Sequence, residues 1–502
     1  MSEGTKPELL YDVAALLITS AAQGHAVEAS SAPAASSISQ VVDIPYLGIT
    51  AGQSLVLIDP AAVSHPVSIS TFEVVHAPSA NLGSLTGISL LRGLSALPAG
   101  QLSAYISSHP AAVSQLLAHP PAAVDVADWW GTLAASERAA LATSSPRLVG
   151  NLDGVPVSVR DSSNRSWVTN AVAALRKRVA KVGARALNES DQHSLHMLQQ
   201  IEGVLGTGAS ANATTVASAN TGTTTSAATN MVTNTGTTPP PRSLLSVDSS
   251  GAGKAAVVIG DLQTADYVTY MVPGMFFTVD GQVGDWTGDA QDLYNQQVAW
   301  LKKLSAVDPA NAGQTVAVVA WMGYQTPDLT NIGSLDLAYK GRDALARLVE
   351  GEQALRVGNE PYTTIVAHSY GSTAALMALT EYNFSVDALV LVGSPGSAAQ
   401  SVHDLHVRNA NVFVGSAPWD PVPSSAWFGS DPAAPSYGAK TMAVGGAIDT
   451  ITGKSLGASI GHNNYFSAGS ESIRNMALVG IDHGELVMSG TAADAHKTLA
   501  LG

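Results

Sequence analysis

Between Thr363 and Leu376 the chain reads Thr363-Thr364-Ile365-Val366-Ala367-His368-Ser369-Tyr370-Gly371-Ser372-Thr373-Ala374-Ala375-Leu376. Its first residues are β-branched or small and apolar, the pattern of a buried strand, and the residues from Gly371 to Tyr382 read as a helix. Between the two lies a small-x-Ser-x-small turn. This setting predicts that Ser369 sits on a tight elbow that lifts its hydroxyl above a sheet. Ala367 and Gly371 are small because strand and helix crowd the turn. The pattern alone decides little in a chain rich in Ala, Gly and Ser. Ala434-Pro435-Ser436-Tyr437-Gly438, Gly453-Lys454-Ser455-Leu456-Gly457 and Gly457-Ala458-Ser459-Ile460-Gly461 also fit it. None of these has an apolar strand before it and a helix after it. Context therefore selects Ser369 over a serine that merely caps a helix.

Working outward, the elements alternate. Strands are expected at Ala255 to Ile259, Tyr267 to Val272, Thr315 to Ala320, Thr363 to Ala367, Ala388 to Val392 and Asn411 to Val414. Helices are expected at Asp289 to Leu304, Leu335 to Arg356 and Gly371 to Tyr382. Nearly continuous Val, Ile, Leu and Ala strands between helices imply a mostly parallel sheet covered on both faces. On such sheets function lies just past the C-terminal strand ends.

A serine nucleophile needs an acid and a base later in the chain. Asp420 follows the strand Asn411 to Val414, in Gly415-Ser416-Ala417-Pro418-Trp419-Asp420-Pro421, which is the acid's position; Asp431 and Asp404 are rivals, one farther from the strand and one before it. His462, in Gly461-His462-Asn463-Asn464-Tyr465, is the candidate base. His483 is flanked by charge, His403 and His406 precede the acid's strand, and His368 lies on the wrong side of the elbow, where packing or lining is its expected role. The oxyanion would be held by two backbone amides, those of Tyr370 and Met275, the latter following Pro273-Gly274. Trp321, Met322 and Tyr324, just past a strand end, either line a substrate pocket or pack in the core.

Composition narrows the chemistry further. The 502 residues include no cysteine, so a covalent nucleophile must come from Ser, Thr, Lys or a carboxylate. With Lys+Arg 24 against Asp+Glu 39, the net charge of -15 argues against nucleic-acid binding. No cofactor is implied, and no metal-ligand spacing such as His-Glu-x-x-His occurs. The apolar stretch Val13 to Ala22 is too short for a membrane span and its acidic flanks suit no signal peptide, which leaves a buried helix and puts the cytoplasm slightly ahead of secretion.

Four regions are expected. Residues 1–103 form an Ala- and Ser-rich segment of unknown role, with β-branched runs at Ser54 to Ile58 and Val67 to Val75. Residues 104–206 are helical. There Trp167, Val168, Val172, Leu175 and Val179 share one face of a run from Ser163 to Ala186, and Arg176, Lys177, Arg178, Lys181 and Arg185 form a solvated charged face. Residues 207–242 are uncharged up to Arg242 and Thr- and Asn-rich, as a linker or exposed insertion would be. Residues 243–502 form the catalytic domain.

Several stretches together resemble a family of actinobacterial α/β-hydrolases catalogued as a domain of unknown function. They are Val319-Ala320-Trp321-Met322-Gly323-Tyr324 with Pro327, Val366 to Ser372, Val386 to Gly396, and Gly461-His462 with Tyr465. Upstream, Trp129-Trp130 with Glu137-Arg138, and Val149 to Pro156 with Arg160-Asp161, are similar to the helical region that precedes the hydrolase core in that family. The resemblance implies an α/β-hydrolase fold with an added, largely helical N-terminal region. It also places Ser369, Asp420 and His462 at matching positions, with Ala367 where Gly is commoner. The expected activity is a serine hydrolase acting on a small or medium carboxylic ester, with amide or thioester cleavage as variants of the same triad. A non-catalytic interaction protein built on the same scaffold is the reading from another class.

Overall fold

The structure, a computed structural model, describes residues 82–183, 187–206 and 239–490. The expected elements at Val13 to Ala22, Ser54 to Ile58 and Val67 to Val75 lie outside the described residues, as do Arg185 and residues 207–238. Eight strands form one sheet: β1 Arg242–Asp248, β2 Lys254–Gly260, β3 Tyr267–Val272, β4 Val316–Met322, β5 Tyr362–His368, β6 Ala388–Val392, β7 Val412–Gly415 and β8 Lys440–Thr441. Their order is β1-β2-β4-β3-β5-β6-β7-β8, with β1 and β2 antiparallel to each other, β2 antiparallel to β4, and the rest parallel.

Alternate residues of each strand enter opposite cores. In β4, Val316, Val318, Ala320 and Met322 pack on one face, while Ala317, Val319 and Trp321 pack on the other. Both faces are covered, which is why these strands read as unbroken apolar runs.

The helices are α1 Gly87–Ser95, α2 Ala99–Ser108, α3 Pro110–Ala118, α4 Ala123–Thr132, α5 Ala135–Ser144, α6 Pro146–Gly150, α7 Val157–Val182, α8 Glu189–Gly206, α9 Val279–Leu304, α10 Asp336–Leu355, α11 Tyr370–Glu381 and α12 Glu471–Val479. Leu90, Leu94, Leu102, Leu116, Trp129 and Trp130 build a separate core for α1 to α6. By contrast, Val168 and Val172 of α7 and Met197 and Ile201 of α8 join the sheet's own core beside α9. Two features differ from the expected division: among the described residues helices are present from Gly87, ahead of Ala104, and α7 and α8 pack in the layer that covers the sheet. The charged side of α7 is solvated among the described residues, with Arg176 paired to Glu202 at 3.7 Å and Arg178 to Asp191 at 2.5 Å.

The edge strand β1 is satisfied by this helical region. Leu244 donates its N–H to Asp161 Oδ1 at 2.6 Å, Val247 donates to Asn151 Oδ1 at 2.8 Å, and Asn164 donates to the carbonyls of Leu244 and Gly150 at 3.0 and 2.8 Å. An open edge would expose unpaired backbone groups. Here side chains from α7 and the turn before it complete the ladder.

Candidate active site

The sheet order reverses around β3, so the loops leaving β3 and β5 lie side by side, with Val272 in register with Ala367. Such a switch point opens a crevice at the strand ends. Ser369 stands there with φ 53° and ψ −133°, a strained conformation for a residue with a side chain. Its amide donates to the Val392 carbonyl at 3.0 Å, and α11 starts at the next residue. The need for glycine at 371 is direct: a Cβ there would lie 2.2 Å from the Pro273 carbonyl oxygen.

Asp420 and His462 reach this turn from loops after β7 and β8. His462 Nε2 is 2.7 Å from Ser369 Oγ, and its Nδ1 is 3.0 Å from both carboxylate oxygens of Asp420. The side chains of His462 and Asp420 are buried. Tyr465 donates its hydroxyl to Asp420 Oδ2 at 2.6 Å while accepting the Ala417 amide at 2.8 Å, and the Val422 amide donates to Asp420 Oδ1 at 3.0 Å. Burial alone would raise the Asp420 pKa. The His462 charge and the hydrogen bonds from His462, Tyr465 and Val422 outweigh it and hold the carboxylate below its ordinary range. The Tyr465 hydroxyl is pushed well above its usual value by burial and then by Asp420, so it stays a donor. Gly461 ties the two loops together, donating to the Pro418 carbonyl at 2.8 Å. At Gly393, where φ is 58°, a Cβ would come within 3.0 Å of both Asp420 Oδ2 and His462 Cε1.

The other expected residues divide. Tyr370 opens α11, where the first amides of a helix have no acceptor within it. Met275 is buried, and its amide has no hydrogen-bond acceptor among the described residues, while the neighbouring Phe276 amide is bound to the Pro327 carbonyl. Gly274 lies against the turn itself, since a Cβ there would be 2.6 Å from Ser369 Cβ. The pocket reading of Trp321, Met322 and Tyr324 is corrected: all three are buried in the two cores of the sheet. Trp321 stacks on Tyr324 at 5.6 Å, and the Tyr324 hydroxyl donates to the Pro273 carbonyl at 2.7 Å, bracing the loop that carries Gly274.

Among the rivals, Asp431 accepts the Ala433 amide, Asp404 caps the turn at Gln400 and Ser401, and His483 bonds Glu485 and Asn311. None of them joins Ser369. The segment Met476 to Ile481, which leads to His483, is largely the end of α12.

A cavity of about 940 Å³ is walled by the loop that carries Asp420, with Trp419 and Asp420 in its lining beside Met442, Val444, Ile448 and Ile460, but neither Ser369 nor His462 lines it. Closer to the nucleophile, Met275 forms a small apolar cluster with the partly buried Phe276, Ile332 and Trp427. Among the described residues no helix is long and apolar enough to cross a membrane, and no cluster of His, Asp and Glu could hold a metal ion.

Comparison with known proteins places this geometry in a family. Residues 248–430 match the family described as alpha/beta hydrolase, a span that includes Ser369 and Asp420. An uncharacterized protein of Mycobacterium tuberculosis is 30% identical over 403 residues, covering 73% of this chain and 57% of the relative. The chain thus spans little more than half the length of that relative. An uncharacterized protein of Mycobacterium bovis is 30% identical over 205 residues, covering 38% of this chain and 74% of the relative. Two solved structures are similar at low scores. Carboxyl esterase 2 from the mycorrhizal fungus Tuber melanosporum has a TM-score of 0.29 at 11% identity, covering 51% of this chain and 90% of that one. A Pyrobaculum calidifontis esterase has a TM-score of 0.29 at 14% identity, covering 45% and 80%. The sheet order, the strand-turn-helix at Ser369 and the family match agree: this chain belongs to the α/β-hydrolase family, beside mycobacterial members that are uncharacterized.

Proposed function

We propose that the protein is a serine hydrolase that cleaves carboxylic esters, with Ser369 as nucleophile, His462 as general base and Asp420 as the acid. The observation that carries this reading is the continuous chain of hydrogen bonds from Ser369 Oγ through the His462 ring to the buried Asp420 carboxylate. In the first step His462 Nε2 takes the Ser369 proton as Oγ attacks the ester carbonyl. Asp420 fixes the ring tautomer and stabilises the imidazolium. The tetrahedral oxyanion accepts the amides of Tyr370 and Met275, and the positive end of α11 adds to them. The imidazolium then protonates the departing alcohol. A water molecule, deprotonated by His462, releases the acid from the acyl-enzyme.

Phe276 and Trp427, partly exposed beside the buried Met275 that follows Gly274, support an apolar group on the ester. Hydrolysis of p-nitrophenyl esters of increasing chain length tests the reading. Wild type is expected to turn them over, Ser369→Ala to lose about 10⁶-fold in kcat, and Asp420→Asn to lose far more than Asp431→Asn. Equal rates for wild type and Ser369→Ala would refute the assignment, and equal losses at the two aspartates would move the acid elsewhere.

A further inference from the structure

His368 ends β5, directly before the nucleophile, and the chemistry above leaves it idle. It is 4% exposed. Its Nε2 lies 2.7 Å from the backbone carbonyl of His462. A carbonyl only accepts, so the ring carries its proton on Nε2. The two imidazoles lie 4.7 Å apart at a tilt of 39°, and Phe466 stands edge-on to His368 at 5.9 Å. Nδ1 has no hydrogen-bond partner among the described residues. Burial first, and then the charge on His462, push the His368 pKa down to about 3, against weaker upward pulls from its bond to the His462 carbonyl and from Asp420. The ring is therefore neutral wherever His462 works as a base.

His462 needs such a neighbour. It sits in an irregular loop rather than on a strand or helix, following Gly461 at φ 71°. Geometry for proton transfer tolerates little drift, and a misplacement of about 1 Å can cost on the order of 10²-fold in rate. Strand β5 lies inside the sheet and is rigid, so a side chain from its last residue can anchor the base to the same element that presents the nucleophile. A neutral ring also adds no second cation beside the imidazolium formed during the reaction.

We propose that His368 is a positioning residue for His462: its Nε2–H grips the His462 carbonyl and its ring supports the His462 ring, which keeps the base on Ser369 Oγ. The inference rests on the triad reading given above. It also assigns to the residue before the nucleophile a task other than packing.

The test uses the full chain and a fluorophosphonate probe, with the rate of covalent modification resolved into apparent binding and maximal rate. His368→Leu keeps bulk but removes the donor. It is expected to lower the maximal rate by about 10- to 100-fold with little change in apparent binding. His368→Gln places an amide N–H within reach of the same carbonyl and is expected to restore the rate to within a few-fold of wild type. A maximal rate for His368→Leu equal to wild type, or a His368→Gln variant as slow as His368→Leu, would overturn the proposal. Nitrogen NMR of ¹⁵N-histidine-labelled wild type gives an arm that needs no variant to fold. His368 is expected to remain the neutral Nε2–H tautomer from pH 5 to 9, and a Nδ1–H tautomer or a titration in that range would contradict it. A wild type inert to the probe sinks the triad reading and this inference together. A reactive wild type with unaffected variants sinks this inference alone.

Discussion

At the scale of single residues, the site depends as much on missing side chains as on present ones. Gly274 is the sharpest case, because its Cβ position falls 2.6 Å from Ser369 Cβ and 3.1 Å from Oγ. Gly274→Ala must displace either the nucleophile or the loop that offers the Met275 amide. Ester turnover is therefore expected to fall at least about 10²-fold while the melting temperature stays near wild type; unchanged turnover would show that the loop gives way freely. Ser369 and Asp420 are legible in the sequence because each follows a strand whose apolar pattern can be read locally, whereas His462, well past the two-residue β8, is legible only by its order in the chain and its glycine-flanked loop. Tyr465 and His368 are not legible in the same way. Their partners lie 45 and 94 residues away, and only the folded sheet brings them together. Trp321, Met322 and Tyr324 mislead for a related reason. Their place after a strand suggests a pocket wall, but β4 is an interior strand with a packed layer on each face.

At the scale of elements, the differences between sequence and structure fall where tertiary contacts outweigh local pattern. β1 follows three prolines and mixes polar with apolar residues, and its outer edge is completed by Asn151, Asp161 and Asn164 from 80 to 96 residues earlier. Helix α9 starts at Val279, ten residues before its periodicity is clear, because Gly281, Gly284 and Gly288 weaken helix propensity in the first turns. The buried Val283, Trp286 and Ala290 hold it, and the Thr278 hydroxyl accepts the Gly281 amide at 3.2 Å. Helices α7 and α10 meet at a buried charge cluster. Arg160 lies 2.9 Å from Asp153 and 3.8 Å from Glu352, so Asp153 takes the closer share of its charge. Burial then raises Glu352 to about 7, the pull of Arg160 notwithstanding. Its unfolded pKa is near 4.5, so between pH 4.5 and 7 the native state binds more protons and stability falls as pH rises. The loss amounts at most to roughly 3 to 4 kcal/mol, at about 1.4 kcal/mol per pKa unit. In Glu352→Gln the decline in melting temperature from pH 5 to 8 is expected to flatten, and an unchanged slope would remove Glu352 as its source.

At the scale of the whole molecule, the helical region and the hydrolase sheet are interlocked parts. Helices α1 to α6 have their own core, whereas α7 and α8 supply both a layer and an edge cap to the sheet. The lack of cysteine in 502 residues leaves Ser, Thr, Lys or a carboxylate as the covalent nucleophile to seek, and Ser369 occupies the crevice where the sheet order reverses. That claim is tested most directly by treating the full chain with a fluorophosphonate and locating the adduct by peptide mass spectrometry. The expected result is a single covalent adduct on Ser369 that is absent from Ser369→Ala. An unmodified wild type, or an adduct that persists in Ser369→Ala, would contradict the account.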